Sequence, residues 1–140
     1  MKKFTLGNIF TCLSVLAAVV GLILYAVNAS GSYYHDFGVK VPLVIVAGII
    51  VEIAGLLLIK KFDEKYVFDI FFIAAGALIM LAVVFFAAAR VESAGIILGS
   101  SLEAGNDLAY SSLYQAFAGI GCLVAAMLLE GVAGFMKQNK

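Results

Sequence analysis

Residues 41–59 read VPLVIVAGIIVEIAGLLLI, an apolar run with a single charged side chain, Glu52. A helix needs about 20 apolar residues to cross the roughly 30 Å hydrocarbon core of a bilayer. The run lacks the alternation of apolar and polar residues that marks a membrane-spanning strand. It therefore predicts a membrane-spanning helix, with Pro42 at the entry, where the missing N–H costs little.

Three further stretches share this composition, and each contains at most one charged side chain. They cover residues 8–28, 66–89 and 112–136. The sequence therefore predicts an all-α integral membrane protein, a four-helix (tetraspan) bundle built from two antiparallel helical hairpins. Because the connections are short, we expect residues 1–140 to form a single transmembrane domain.

The longest connection covers residues 90–111 and includes a short apolar piece, residues 94–99. This piece lies between Arg90 and the turn signal Gly105-Asn106-Asp107. We therefore expect residues 94–99 to form an interfacial turn or a re-entrant segment outside the third span.

The composition excludes several classes of protein. The chain is 64% hydrophobic and 13% charged, whereas soluble domains are about 45–50% apolar and about 25% charged. A soluble chain of this length leaves about a third of its surface in water, so its interior is too small to bury this excess of apolar residues. Nine basic residues balance nine acidic ones, and no basic patch is large enough for a phosphate backbone. Soluble enzymes, disordered proteins and nucleic-acid binders are therefore disfavoured.

The basic residues predict the orientation. Only Lys40 and Arg90 lie on one side of the four-span arrangement. The lysines on the other side are Lys2, Lys3, Lys60, Lys61, Lys65, Lys137 and Lys140. Because cytoplasmic segments are enriched in Lys and Arg, we expect both termini in the cytoplasm and the protein in the cell (cytoplasmic) membrane.

Small residues predict the surfaces on which the helices meet. Lipid is as apolar as leucine, so membrane helices associate through small residues that let backbones approach closely. Such residues recur at helical spacing on one face of each span. The predicted helix-packing face consists of Ala18, Gly21, Gly48, Gly55, Gly76, Gly119, Ala126 and Gly134.

The acidic residues of the spans lie at different depths. At 1.5 Å per residue, Glu52 is about 3 Å from the midplane, Glu130 about 9 Å and Asp69 about 13 Å. We expect Asp69 to lie at the interface and Glu130 to reach the interface or a lysine. An ionised side chain as deep as Glu52 costs about 2.5–3.5 kcal/mol on insertion scales, so this residue requires an explanation.

Two explanations of Glu52 remain open. A protonated carboxyl can bond to a neighbouring helix, through Ser14, Tyr25, Gln115 or Cys122. Alternatively, Glu52 is a proton or cation site. The candidate ion/proton or polar-core site consists of Glu52, Glu130 and Gln115.

Patterns that indicate an enzyme are absent from the sequence. Cys12 and Cys122 are single, so no Cys-x-x-Cys redox pair exists. His35 is the only histidine, and no cluster suits zinc or haem. A Gly-x-Ser-x-Gly motif and a glycine-rich phosphate loop are also missing. We expect no enzymatic activity, no catalytic residues, no cofactor and no metal.

Short loops and the lack of a recognisable site favour a non-enzymatic accessory or structural subunit of a larger membrane transport system. The alternative is an autonomous, homo-oligomeric small transporter, or an ion or proton pathway that uses Glu52. The expected partners are membrane lipids, together with a larger membrane complex or further copies of the chain.

Overall fold

The computed structural model describes residues 4–62 and 65–138. The helices are α1 (Leu6–Ala29), α2 (Lys40–Phe62), α3 (Lys65–Gly99) and α4 (Asp107–Phe135). All four are long and apolar enough to cross a membrane, and the described part of the chain contains no strand. The all-α, four-helix prediction is confirmed, and the structure supports a multi-pass membrane protein.

The third helix is longer than its predicted span. α3 has 35 residues and continues through Gly99, so residues 94–99 form its last turns. The expected interfacial turn or re-entrant segment is wrong, because the apolar side of this piece has a partner within the protein. Ile97 packs against Ala109 and Leu113 of α4 in a small core at this end of the bundle.

Each helix packs against two neighbours. α1 and α3 both contact α2 and α4, which gives the ring order α1–α2–α3–α4. Thr5, just before α1, donates a 2.8 Å hydrogen bond to the backbone carbonyl of Lys137, just after α4. Near the other end of α1, the Asn28 side chain donates to the carbonyl of Ser112 at 2.7 Å.

These contacts define two ends of the bundle. The end that holds Thr5 and Lys137 is called the terminal end. Lys60 near the end of α2 also lies there, because its ammonium group is 5.6 Å from the centre of the Phe4 ring. The end that holds Asn28 is called the loop end.

The predicted helix-packing residues face neighbouring helices. Ala18 and Ala126 are buried. A Cβ atom added to any of the six glycines would lie within 4 Å of another helix; these are Gly21, Gly48, Gly55, Gly76, Gly119 and Gly134. The larger side chains Leu16, Ile50 and Leu57 point outwards, where lipid would surround them.

Gly119 provides a test of this close packing. A Cβ at Gly119 would lie 2.8 Å from Phe86 Cε1 and 3.2 Å from Leu24 Cβ. We expect Gly119→Ala to lower the free energy of unfolding by about 1–3 kcal/mol because the core becomes overpacked. The measurement is equilibrium unfolding in detergent, followed by circular dichroism.

The matched control is Gly121→Ala, two positions along the same helix. Apart from its chain neighbours and the nearby backbone of its own helix, no described atom lies within 4 Å of a Cβ at Gly121. Alanine is preferred over glycine in helices by about 1 kcal/mol, so this variant should be as stable as the parent or slightly more stable. Equal destabilisation of the two variants would contradict the packing described above.

Candidate functional site

Buried polar side chains form three layers along the bundle. The terminal layer contains Thr5, Asn8, Thr11 and Gln138; the middle layer contains Ser14, Glu52 and Glu130. The loop layer centres on Asn28 and Arg90. Among the residues that the structure describes, the buried carboxylates are Glu52 and Glu130 of the middle layer.

Two carboxylates from opposite helices meet in the middle layer. Glu52 of α2 is 2% exposed and Glu130 of α4 is 1% exposed, and their charges are close enough to interact. On α3, Gly76 leaves room for them, since a Cβ there would lie 3.8 Å from Glu130 Oε2. The small residues of the packing face therefore bring the two acids into one layer.

Ser14 of α1 connects Glu52 to α4. Its Oγ lies 3.2 Å from Glu52 Oε2 and 3.0 Å from the backbone carbonyl of Ala126. A serine hydroxyl has one proton to donate, and the carbonyl can only accept. The hydroxyl can share its proton between the two acceptors in a three-centre hydrogen bond, or donate to the carbonyl while it accepts from a protonated Glu52. In both arrangements Ser14 ties Glu52 of α2 to the backbone of α4.

Three carboxylate oxygens in this layer lack a hydrogen-bond partner among the residues that the structure describes. They are Glu52 Oε1 and both side-chain oxygens of Glu130. An unpaired buried acceptor costs about 1–3 kcal/mol, and more when it is charged. Such groups are rare in native proteins and often belong to functional sites. Glu130 is thus a buried acid whose charge a proton or a bound cation would neutralise.

A cavity of about 210 Å³ between α3 and α4 borders Glu130. It is partly open, and Phe135 at its edge is 95% exposed. Most of its lining is apolar, with Asp69 as a second carboxylate. The remaining lining residues are Phe72, Ile73, Gly131 and Gly134. Glu130 is therefore buried by protein, yet it borders a space large enough for a small ligand.

The terminal layer joins α1 to the chain that follows α4. Gln138 is fully buried and donates a 2.8 Å hydrogen bond to the carbonyl of Ala133. Thr11 Oγ1 lies 3.4 Å from Gln138 Oε1 and donates to the Gly7 carbonyl at 3.0 Å. These contacts hold the ends of α1 and α4 together below the carboxylate layer.

Arg90 organises the loop layer. Its guanidinium donates two hydrogen bonds to Asp36, at 2.6 and 3.0 Å, and one to Asn28 Oδ1 at 2.9 Å. The Tyr34 ring covers the guanidinium at 3.7 Å. Because Asp36 and Tyr34 precede α2, Arg90 fixes the α1–α2 connection over the loop end of the bundle.

The structure brings Glu52 and Glu130 together but places Gln115 in another layer. Gln115 Oε1 accepts a hydrogen bond from Asn28 at 3.2 Å, and it lies fifteen positions before Glu130 on α4, about 22 Å along the axis. Of the partners considered for Glu52, Ser14 bonds to it, whereas Tyr25 donates to the Gly38 carbonyl.

Sequence reasoning treated Arg90 only as a charge on one side of the membrane. Its partner Asp36 is 54 positions away, so no local spacing links the two. One signal for this pair was present in the sequence. Arg90 stands at the end of the third apolar run, and the acidic Asp36 lies in the connection between α1 and α2.

Metal ligation is not indicated in residues 4–62 and 65–138. No group of three or more His, Cys, Asp or Glu side chains is arranged there to hold a metal ion.

The fold and the middle layer define a class: a four-helix membrane protein with a buried carboxylate pair beside a cavity. No protein-family model, curated protein or solved structure matches the chain. Its function must therefore be argued from its own residues.

Proposed function

We propose that this protein is a small, non-enzymatic component of membrane transport that binds a proton or a cation at the Glu52–Glu130 pair. The observation that carries the proposal is Glu130, which is buried, unpaired among the described residues, and beside a cavity. Ionisable residues inside a membrane protein that line a cavity commonly mark ion or proton paths. A proton or a cation supplies the partner that Glu130 lacks.

In this proposal the helices cross the cell membrane as two antiparallel hairpins, with both termini in the cytoplasm. The terminal end has Lys60, Lys61 and Lys137, and cytoplasmic segments are rich in such residues. At the loop end, the charge of Arg90 is paired with Asp36. Further lysines counted from the sequence, Lys2, Lys3 and Lys140, lie outside the described residues, as does the side chain of Lys65.

Proton flux tests the role of Glu130. The purified protein is reconstituted in liposomes that contain a pH-sensitive dye, and a membrane potential drives proton entry. We expect flux through the parent protein, and flux at the level of empty liposomes for Glu130→Gln, because an amide cannot bind and release a proton at neutral pH. Glu92→Gln, the same change at an exposed position of α3, should retain flux.

Two results would contradict this assignment. One is parent flux no greater than that of empty liposomes. The other is a Glu130→Gln variant that keeps the parent flux.

A role as an accessory or structural subunit is favoured by one specific observation, the exposed apolar side chains around the end of α3. The helix is about 52 Å long, although about 20 residues suffice to cross the bilayer core. Beyond Arg90, the apolar side chains of Val91 and Leu98 on α3, and of Leu102 just after it, are exposed, and exposed apolar patches often bind other proteins. This end offers a surface for a larger transport protein.

Purification from native membranes in a mild detergent separates the two arrangements. A stoichiometric larger membrane protein that purifies with the chain supports the accessory subunit. A homo-oligomer without other proteins supports the autonomous transporter.

A further inference from the structure

We propose that the cavity between α3 and α4 binds a small organic ammonium ion, which is held by the Glu130 carboxylate in exchange for one proton. This inference rests on the proposed function and names the class of ligand for the same site.

The lining of the cavity favours an organic cation over a bare metal ion. Calcium takes six to eight oxygen ligands and magnesium requires near-octahedral oxygen coordination. Here the carboxylates of Asp69 and Glu130 stand among the apolar groups Phe72, Ile73 and Phe135. An alkylammonium ion needs one opposite charge and apolar contacts, and aromatic rings attract quaternary ammonium groups.

The size of the cavity limits the ligand. Pockets for drug-sized molecules measure about 300–1,000 Å³, whereas this cavity measures about 210 Å³. An ammonium ion with a few carbon atoms fits this space. Tetramethylammonium is therefore a suitable probe.

The proton balance follows from the positions of the two acids. Two neighbouring buried carboxylates do not ionise together, because their charges repel. Glu130 lines the cavity and Glu52 does not, so Glu130 is the acid that loses its proton when a cation binds there. The exchange is Glu130–COOH + R₄N⁺ → Glu130–COO⁻·R₄N⁺ + H⁺. It leaves the net charge of the site unchanged, which avoids burying an unpaired charge.

The charged groups around Glu130 come from the neighbouring helices. Glu52 faces it from α2 and Asp69 lines the same cavity from α3. The helix α1 has no charged residue and presents the hydroxyl of Ser14. The described lysines of the terminal end are Lys60, Lys61 and Lys137.

Calorimetric titration of the purified, full-length protein in detergent tests the exchange. Tetramethylammonium chloride is titrated in two buffers of different ionisation enthalpy, with sodium chloride at equal ionic strength as the comparison. We expect one proton released per bound ammonium ion. Protons compete with the ammonium ion for Glu130. While Glu130 is protonated in the free protein, the apparent Kd should therefore fall about tenfold for each unit by which the pH is raised.

Four variants locate the ligand. Glu130→Gln should abolish both binding and proton release. Asp69→Asn should weaken binding by about fivefold, which corresponds to the loss of one partly exposed charge contact. One proton should still be released per bound cation. Gly131→Leu should block the cavity while Glu130 remains, since Gly131 lines the cavity and no described atom beyond its chain neighbours and its own helix backbone lies within 4 Å of a Cβ there. Glu92→Gln is the matched control and should bind like the parent.

The outcomes separate this inference from the proposed function. Binding that persists in both Glu130→Gln and Gly131→Leu, or binding without proton release, overturns the inference. Displacement of the proton by sodium but not by tetramethylammonium also overturns it, and leaves the proposed function standing. If neither cation displaces a proton and Glu130→Gln keeps the parent flux, both fail.

Discussion

Asp36→Ala should lower the free energy of unfolding by about 3 kcal/mol, because it leaves the buried Arg90 guanidinium without its counter-charge. The Arg90 side chain is 2% exposed, whereas that of Asp36 is 43% exposed. Removal of the Asp36 carboxylate therefore leaves the buried charge of Arg90 unpaired. Arg90→Met should cost less, since the remaining carboxylate can be hydrated and a methionine fills much of the same space.

A double-mutant cycle measures this coupling. The double variant Asp36→Ala/Arg90→Met should be more stable than Asp36→Ala alone, because replacing a buried ion pair by apolar groups is often close to neutral. Unfolding in mixed detergent micelles gives the four free energies. Glu92→Gln, an exposed acid on α3, should change stability by no more than about 0.5 kcal/mol. Additive effects of the two single changes would show that the pair is not coupled.

The same contacts account for an unusual backbone at the loop end. His35 has a φ of +48°, a left-handed conformation that costs a non-glycine residue about 1–2 kcal/mol. Its neighbours Tyr34 and Asp36 both contact Arg90. The neighbours are therefore fixed, and the residue between them has little freedom to adopt another conformation.

The sequence predicts the four helices well because the bilayer sets a minimum length for an apolar run. The bilayer does not limit how far a helix can continue beyond it. The sequence therefore did not predict that α3 continues to Gly99. Arg90 resembled the boundary of a span, but Asp36 neutralises its charge and the helix continues to Gly99. Ion pairs between distant residues cannot be deduced from one sequence.

The candidate site was predicted in part. Depth alone singled out Glu52, and the structure buries it. For Glu130, depth was misleading, since its distance from the midplane favoured an interfacial position. Its direction is set by the helical face that it shares with the buried residues Ala126 and Ala133, which turns it inwards. Gln115 lies on nearly the same face of α4 as Glu130, but it belongs to the loop layer, where it bonds to Asn28. Residues on one helical face therefore did not all belong to one site.

Glu130→Met should raise the free energy of unfolding by about 1–3 kcal/mol, the cost of an unpaired buried acceptor, while it abolishes ammonium binding. Both Glu130 oxygens lack partners among the described residues, and methionine is flexible and of similar length. Glu52→Met should gain less stability, because it removes the hydrogen bond to Ser14. Sites that bind ligands commonly retain such a conflict between stability and function.

The comparison among three acids makes this prediction specific. Glu92→Met, at an exposed position, should change stability by about 0.5 kcal/mol or less and should leave binding intact. Unfolding of the ligand-free protein in detergent gives the stabilities, and calorimetry with tetramethylammonium gives the binding. A Glu130→Met variant that is less stable than the parent would mean that Glu130 has a structural partner in solution, and that its burial is not kept for a ligand.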